Sequence, residues 1–251
     1  MGFYEETLLP MIKKTVAVIE KTPHMQDILH GTMPDDRFRF QIKQNYNYLM
    51  EFTKCWAVGF AKCNGYEEMK IWYDLLTETM HDEVILNRDF WAKKIGVSID
   101  EMEKTIMAPG KQTYTSFERS RAWEGDLATQ VVALFPCTIL YMFFGLDLVP
   151  ECTLPEDNMY RFWLEFYITD EYKSHCARAI ALVNKVTEGK SERELAKLQE
   201  VFAIGCNYEI LQWQDMYYNM RTWPLDEIFP DKFTNYKFEL DVKEIEGERE
   251  K

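Results

Sequence analysis

A chain of 251 residues, 47% hydrophobic and 15% aromatic, suits one large domain or two small ones with ample material for a core. Its net charge of −13 argues against a phosphate-binding surface, because nucleic-acid affinity rests largely on Lys and Arg neutralising phosphates. No apolar run reaches the roughly 18 residues of a membrane helix, and MGFYEETLLP has acids where a secretory leader has bases. The expectation is a soluble, cytoplasmic protein.

Helical periodicity dominates the chain. A first helix is expected over 4–21. A second spans 35–63, where Phe38, Ile42, Leu49, Phe52, Trp56 and Phe60 recur at the spacing of one helix face. A third covers 66–94. GVSIDEM reads as a capping box, Ser98 with Glu101 three residues later, opening a short helix at 99–107. Helices at 112–123 and 126–148 follow. Thr153, with Pro155 in the first turn, opens 155–168, and another helix runs over 169–187. GKSERELAKL repeats the capping box with Ser191 and Glu194 and opens 191–220. Loops are expected near HGTMPDD, KCNGYE, APGK, PECTLP, TEGK and TWPLDEIFPD. With no internal repeat or low-complexity linker, the simplest account is an all-α, single-domain helical bundle over 1–230. Residues 231–251, which hold DVKEIEGEREK, read as a charged tail, frayed or disordered.

Polar residues on the apolar stripes carry the chemistry. Asn45 lies between Ile42 and Leu49, with Tyr48 three residues on. The stripe of the last helix reads Phe202, Cys206, Glu209, Trp213, Met216, which places a carboxylate in a row of core positions. A buried carboxylate is costly, so Glu209 is either paired to another helix or faces a cavity. In LFPCTILY, Pro136 removes a backbone donor beside Cys137, and Tyr141 follows at i+4 on the same face. Spacing alone leaves Cys137 as a small core filler or a nucleophile activated from elsewhere.

The six cysteines form no C-x-x-C pair and read as free thiols. The four histidines, His24, His30, His81 and His175, do not supply the two inward Glu-x-x-His pairs of a di-metal centre, the only such spacing being Glu78 to His81, so that centre is not indicated and surface or capping roles are expected. A haem ligand at His24 or His30 has no supporting motif. No metal and no cofactor are expected.

HGTMPDDRFRFQIKQNYNYL, YTSFERS, LFPCTILY, RFWLEFY and CNYEILQWQDMY, in that order, resemble the motifs of the TenA/thiaminase II family. That family lies within the haem-oxygenase-like all-helical superfamily, and the resemblance runs from about residue 5 to 227. It implies hydrolysis of 4-amino-5-aminomethyl-2-methylpyrimidine to the 5-hydroxymethyl pyrimidine, with slow cleavage of thiamin in many members. Carried over by motif, Cys137 would be the nucleophile and Glu209 the acid that holds and protonates a ring nitrogen. Tyr48 would stack on the ring, and Tyr114, Tyr141 and Tyr167 would line the pocket. Asn45 stands where the family usually has an aspartate that contacts the exocyclic amine. Asparagine keeps the shape and loses the charge. Asn87 stands where many relatives have histidine. The alternative reading is a pyrimidine-binding protein with weak or altered turnover because of Asn45. The implied partner is a small aminopyrimidine or thiamin, without nucleic acid or membrane, and the resemblance implies a homotetramer.

Overall fold

The computed structural model describes residues 2–218, and among these every regular element is helical. A π-helical turn, Tyr4–Leu8, leads into α1, Leu9–Ile19. Then come α2, Pro23–His30, α3, Asp35–Lys62, and α4, Tyr66–Glu78. Two π-helical stretches, Thr79–Val84 and Leu86–Trp91, carry the chain from α4 into α5, Ala92–Lys94. The remaining elements are α6, Ile99–Lys104, α7, Pro109–Glu124, α8, Leu127–Leu148, a 3-10 turn, Val149–Glu151, α9, Met159–Phe166, α10, Asp170–Thr187, and α11, Glu192–Tyr218.

The expected helices match these in order, with local corrections. Residues 22–34 hold a helix that the periodicity did not reveal. Thr22 caps α2 by accepting from the Met25 amide, Pro23 occupies its first turn, and Gly31 ends it in the left-handed region at φ 68°. Those end signals bracket only eight residues, too few for a clear apolar period. The helix expected at 155 starts at Met159, because Asn158 rather than Thr153 caps it, its side chain accepting from the Tyr160 and Arg161 amides. Both capping boxes form. Ser98 accepts from the Glu101 amide, and Ser191 and Glu194 bond reciprocally. The expected tail, 231–251, lies outside the described residues.

α8 is the axle of the bundle. It packs against α11, α10 and α7, and also touches α1 and α3. It is long and apolar enough to cross a membrane by length and composition, which corrects the expectation that no segment is. Gln130 and Thr138 interrupt the apolar run in sequence, yet both are buried with the rest of the helix. Gln130 donates to the Cys55 carbonyl at 2.6 Å, so its burial is compensated on that side.

Candidate active site

Pro136 sits inside α8, immediately before Cys137. Across from it on α11 is Gly205, where a Cβ would stand 2.7 Å from Pro136 Cγ. The close approach of the two helices therefore requires a residue without a side chain. One turn farther along α11, Glu209 is wholly buried. The helix contact that seats Pro136 against Gly205 thus carries Cys137 and Glu209 into one interior cluster.

The thiol of Cys137 is buried, and burial pushes its pKa well above the usual cysteine range. The carboxyls of Glu209, Glu83 and Glu118 push the same way, and a hydrogen bond with Tyr48 opposes them. The resting group is therefore a thiol, and its attack requires a proton to leave as the bond to carbon forms. Burial pushes the Glu209 carboxyl up to about 7, with Lys111, Gln212 and Tyr114 holding it down. Gln212 donates to Glu209 Oε2. Among the described residues, Glu209 Oε1 is buried without a hydrogen bond of ordinary geometry. A buried carboxyl near neutrality with one open oxygen is equipped to share a proton with a ligand.

The four tyrosines join this cluster from three helices and from the residue just beyond α9. Tyr48 of α3 donates to Glu118 Oε1 at 2.7 Å. Its ring stacks against Phe52 at 5.6 Å and Tyr114 at 5.5 Å, and Tyr114 stacks on Tyr208 at 5.6 Å. On the other side, Tyr141 of α8 meets Tyr167, just beyond α9, at 4.9 Å. Cys137 and Glu209 act on the hydroxyls of both Tyr141 and Tyr167. Cys137, Glu209, Tyr48, Tyr114, Tyr141 and Tyr167 are therefore brought together. Asn45 is half-buried one turn before Tyr48 on α3, and among the described residues its side chain has no hydrogen-bond partner.

Four members of the cluster were missed in the sequence. Lys111 and Glu118 share one face of α7 with Tyr114, at i−3 and i+4, and both are almost wholly buried. Gln212 follows Glu209 by three residues on α11. Glu83 is half-exposed, yet dense surroundings and Asp82 push its carboxyl up to about 8. It lies on the widened first π-helical stretch, and such turns recur at functional sites. Glu83 also lines an outer groove of about 900 Å³, with Phe166, Tyr172 and His175 among its walls. Cys137 and Glu209 do not line this groove, so Glu83 stands between it and the interior cluster. The spacing 111, 114, 118 was the available signal, with polar groups recurring on one helix face.

Two of the histidines depart from the expected surface or capping roles. His24 is wholly buried, its Nε2 hydrogen-bonded to Gln41 Oε1 at 2.7 Å, and burial lowers its pKa to about 4. His175 is buried too, with Nδ1 2.9 Å from Glu78 Oε2. Both are packed into helix–helix contacts that the histidine count alone could not reveal. Among the described residues, no three His, Cys, Asp or Glu side chains are grouped to hold a metal ion.

Residues 16–220 match the model of the TENA/THI-4/PQQC family. The chain is 32% identical over 201 residues to an aminopyrimidine aminohydrolase of Halalkalibacterium halodurans, covering 80% of this chain and 89% of that protein. It is 29% identical to the aminopyrimidine aminohydrolase of Bacillus subtilis, covering 80% and 84%. Among solved structures, a TenA homologue from P. horikoshii superposes with a TM-score of 0.76 at 21% identity, covering 86% of this chain and 99% of that one. A protein from Silicibacter described as a TenA family transcription regulator superposes at 0.75 with 22% identity, covering 80% and 91%. These two likenesses establish the fold.

Proposed function

The chain belongs to the TENA/THI-4/PQQC family, and on that premise we propose that it hydrolyses an aminopyrimidine, converting 4-amino-5-aminomethyl-2-methylpyrimidine to the 5-hydroxymethyl pyrimidine. The observation that carries this reading is the shared burial of Cys137 and Glu209 among Tyr48, Tyr114, Tyr141 and Tyr167. The relatives named aminopyrimidine aminohydrolase support the substrate class.

In the proposed chemistry, Glu209 shares its proton with a ring nitrogen and makes the ring electron-poor. Cys137 sulfur bonds to a ring carbon as the thiol proton passes to the Tyr48–Glu118 pair. The electron pair placed in the ring expels the amine from the exocyclic methylene, and the amine takes up that proton. Water adds to the methylene carbon and its released proton returns to sulfur as the C–S bond breaks, while the ring nitrogen gives its proton back to Glu209, so that thiol, carboxyl and aromatic ring are restored. The aromatic walls suit a flat heterocycle, and the few convergent polar groups orient it.

The test is mass spectrometry of the products after separate incubations with the aminomethyl pyrimidine and with thiamin. The hydroxymethyl pyrimidine is the expected product of the first. Its absence from both incubations would overturn the reading.

A further inference from the structure

Lys111 is in a place where lysine is disfavoured twice. It is 3% exposed, and burying an ammonium is costly unless it is paired. It also lies in the first turn of α7, which begins at Pro109, where the helix dipole repels a cation. Among the described residues it has no carboxylate at ion-pair distance. Its Nζ donates to Gln212 Oε1 and stands 4.2 Å over the ring of Tyr48. Gln212 in turn donates to Glu209, so a neutral amide bridges the lysine and that carboxyl, while burial lowers the lysine's own pKa. A cation–π contact and one amide oxygen use only part of the bonding capacity of three N–H donors.

A buried cation with spare donors beside the reacting groups is suited to an acceptor on the ligand. Glu118, beside it, is pushed well above the ordinary carboxylate range by burial, which disfavours its charged form. Asn45 adds no charge. A ligand that brings a second ammonium into this pocket meets repulsion from Lys111, and one that brings oxygen acceptors supplies the missing partner.

We propose that Lys111 is a specificity-determining residue that makes the pocket prefer aminopyrimidines whose ring substituent is anionic or oxygen-bearing over those whose substituent is a cationic amine. This rests on the aminopyrimidine reading of the same site. It leaves the aminomethyl compound a substrate, with a KM raised by the charge it carries.

The experiment is calorimetric titration of the full chain with three 4-amino-2-methylpyrimidines, bearing at position 5 a carboxylate, a hydroxymethyl or an aminomethyl group. The expected order of affinity is carboxylate, hydroxymethyl, aminomethyl, with about tenfold or more between the ends. Lys111→Met, folded by circular dichroism, is expected to lose the carboxylate preference and to bind the aminomethyl compound more tightly. Tightest binding of the aminomethyl compound by the wild type overturns the proposal and leaves the aminopyrimidine reading intact. An unchanged order in folded Lys111→Met also overturns it. If that variant does not fold, the wild-type order decides. Binding of none of the three overturns the aminopyrimidine reading, and this inference falls with it.

Discussion

At the scale of single residues, the account turns on two buried groups whose protonated forms are favoured by burial. Cys137 is held as a thiol and Glu209 titrates at about 7. Replacing Glu209 with Gln removes the proton it shares, and kcat is expected to fall on the order of a hundredfold or more, as for other lost general acids. Steady-state kinetics with matched thermal melts checks that the loss is one of rate and not of folding. In the proposed chemistry Glu209 acts in its protonated form, so kcat/KM is expected to decline as pH rises through about 7. Lys111 favours the ionised carboxylate. Removing its charge in Lys111→Met therefore raises the Glu209 pKa, and the declining limb of the pH–rate profile moves to higher pH. A limb that stays in place would separate Glu209 from the observed titration. The same raised pKa has a stability consequence. Relative to an ordinary value of 4.5, the folded carboxyl holds its proton longer, so its contribution is fully present below 4.5 and is lost as pH rises through about 7. Glu209→Gln is expected to gain melting temperature relative to wild type at pH 8 and not at pH 4.

At the scale of elements, the site depends on how closely α8 and α11 approach. The contact of Gly205 with Pro136 leaves no room for a Cβ, whose nearest neighbour would be 2.7 Å away in a rigid ring. Gly205→Ala gains helix propensity on α11 and is still expected to destabilise the protein, by about 1–3 kcal/mol, because the packing strain exceeds that gain. Glu209 lies one turn beyond the contact, so activity should fall along with the denaturation midpoint. Chemical denaturation paired with kinetics checks both. Unchanged activity would show that Glu209 is positioned independently of this contact. The helices themselves were legible because long amphipathic segments and capping boxes are local signals. α2 was not, since eight residues between Thr22 and Gly31 carry capping chemistry without a readable period.

At the scale of the whole molecule, the site draws on α3, α7, α8 and α11 together with Tyr167 beyond α9, and no single segment contains it. This explains which parts were legible in the sequence. Glu209 stood out because it interrupts an apolar stripe on its own helix, a conflict visible without any partner. Cys137 and the tyrosines became candidates through motif resemblance, since nothing local separates a functional cysteine from a buried one. Lys111, Glu118 and Glu83 were missed because lysine and glutamate on helices ordinarily face water. Only the assembled bundle shows them buried or turned against the thiol.

The central claim is that Cys137 forms the bond to the ring and that the surrounding cluster makes this possible. The most direct measurement compares wild type and Cys137→Ser in the same assay of aminomethyl pyrimidine hydrolysis, with pyrimidine binding measured alongside. The account predicts that Cys137→Ser folds and binds the pyrimidine while kcat falls on the order of a thousandfold or more. Full activity in the serine variant would contradict it.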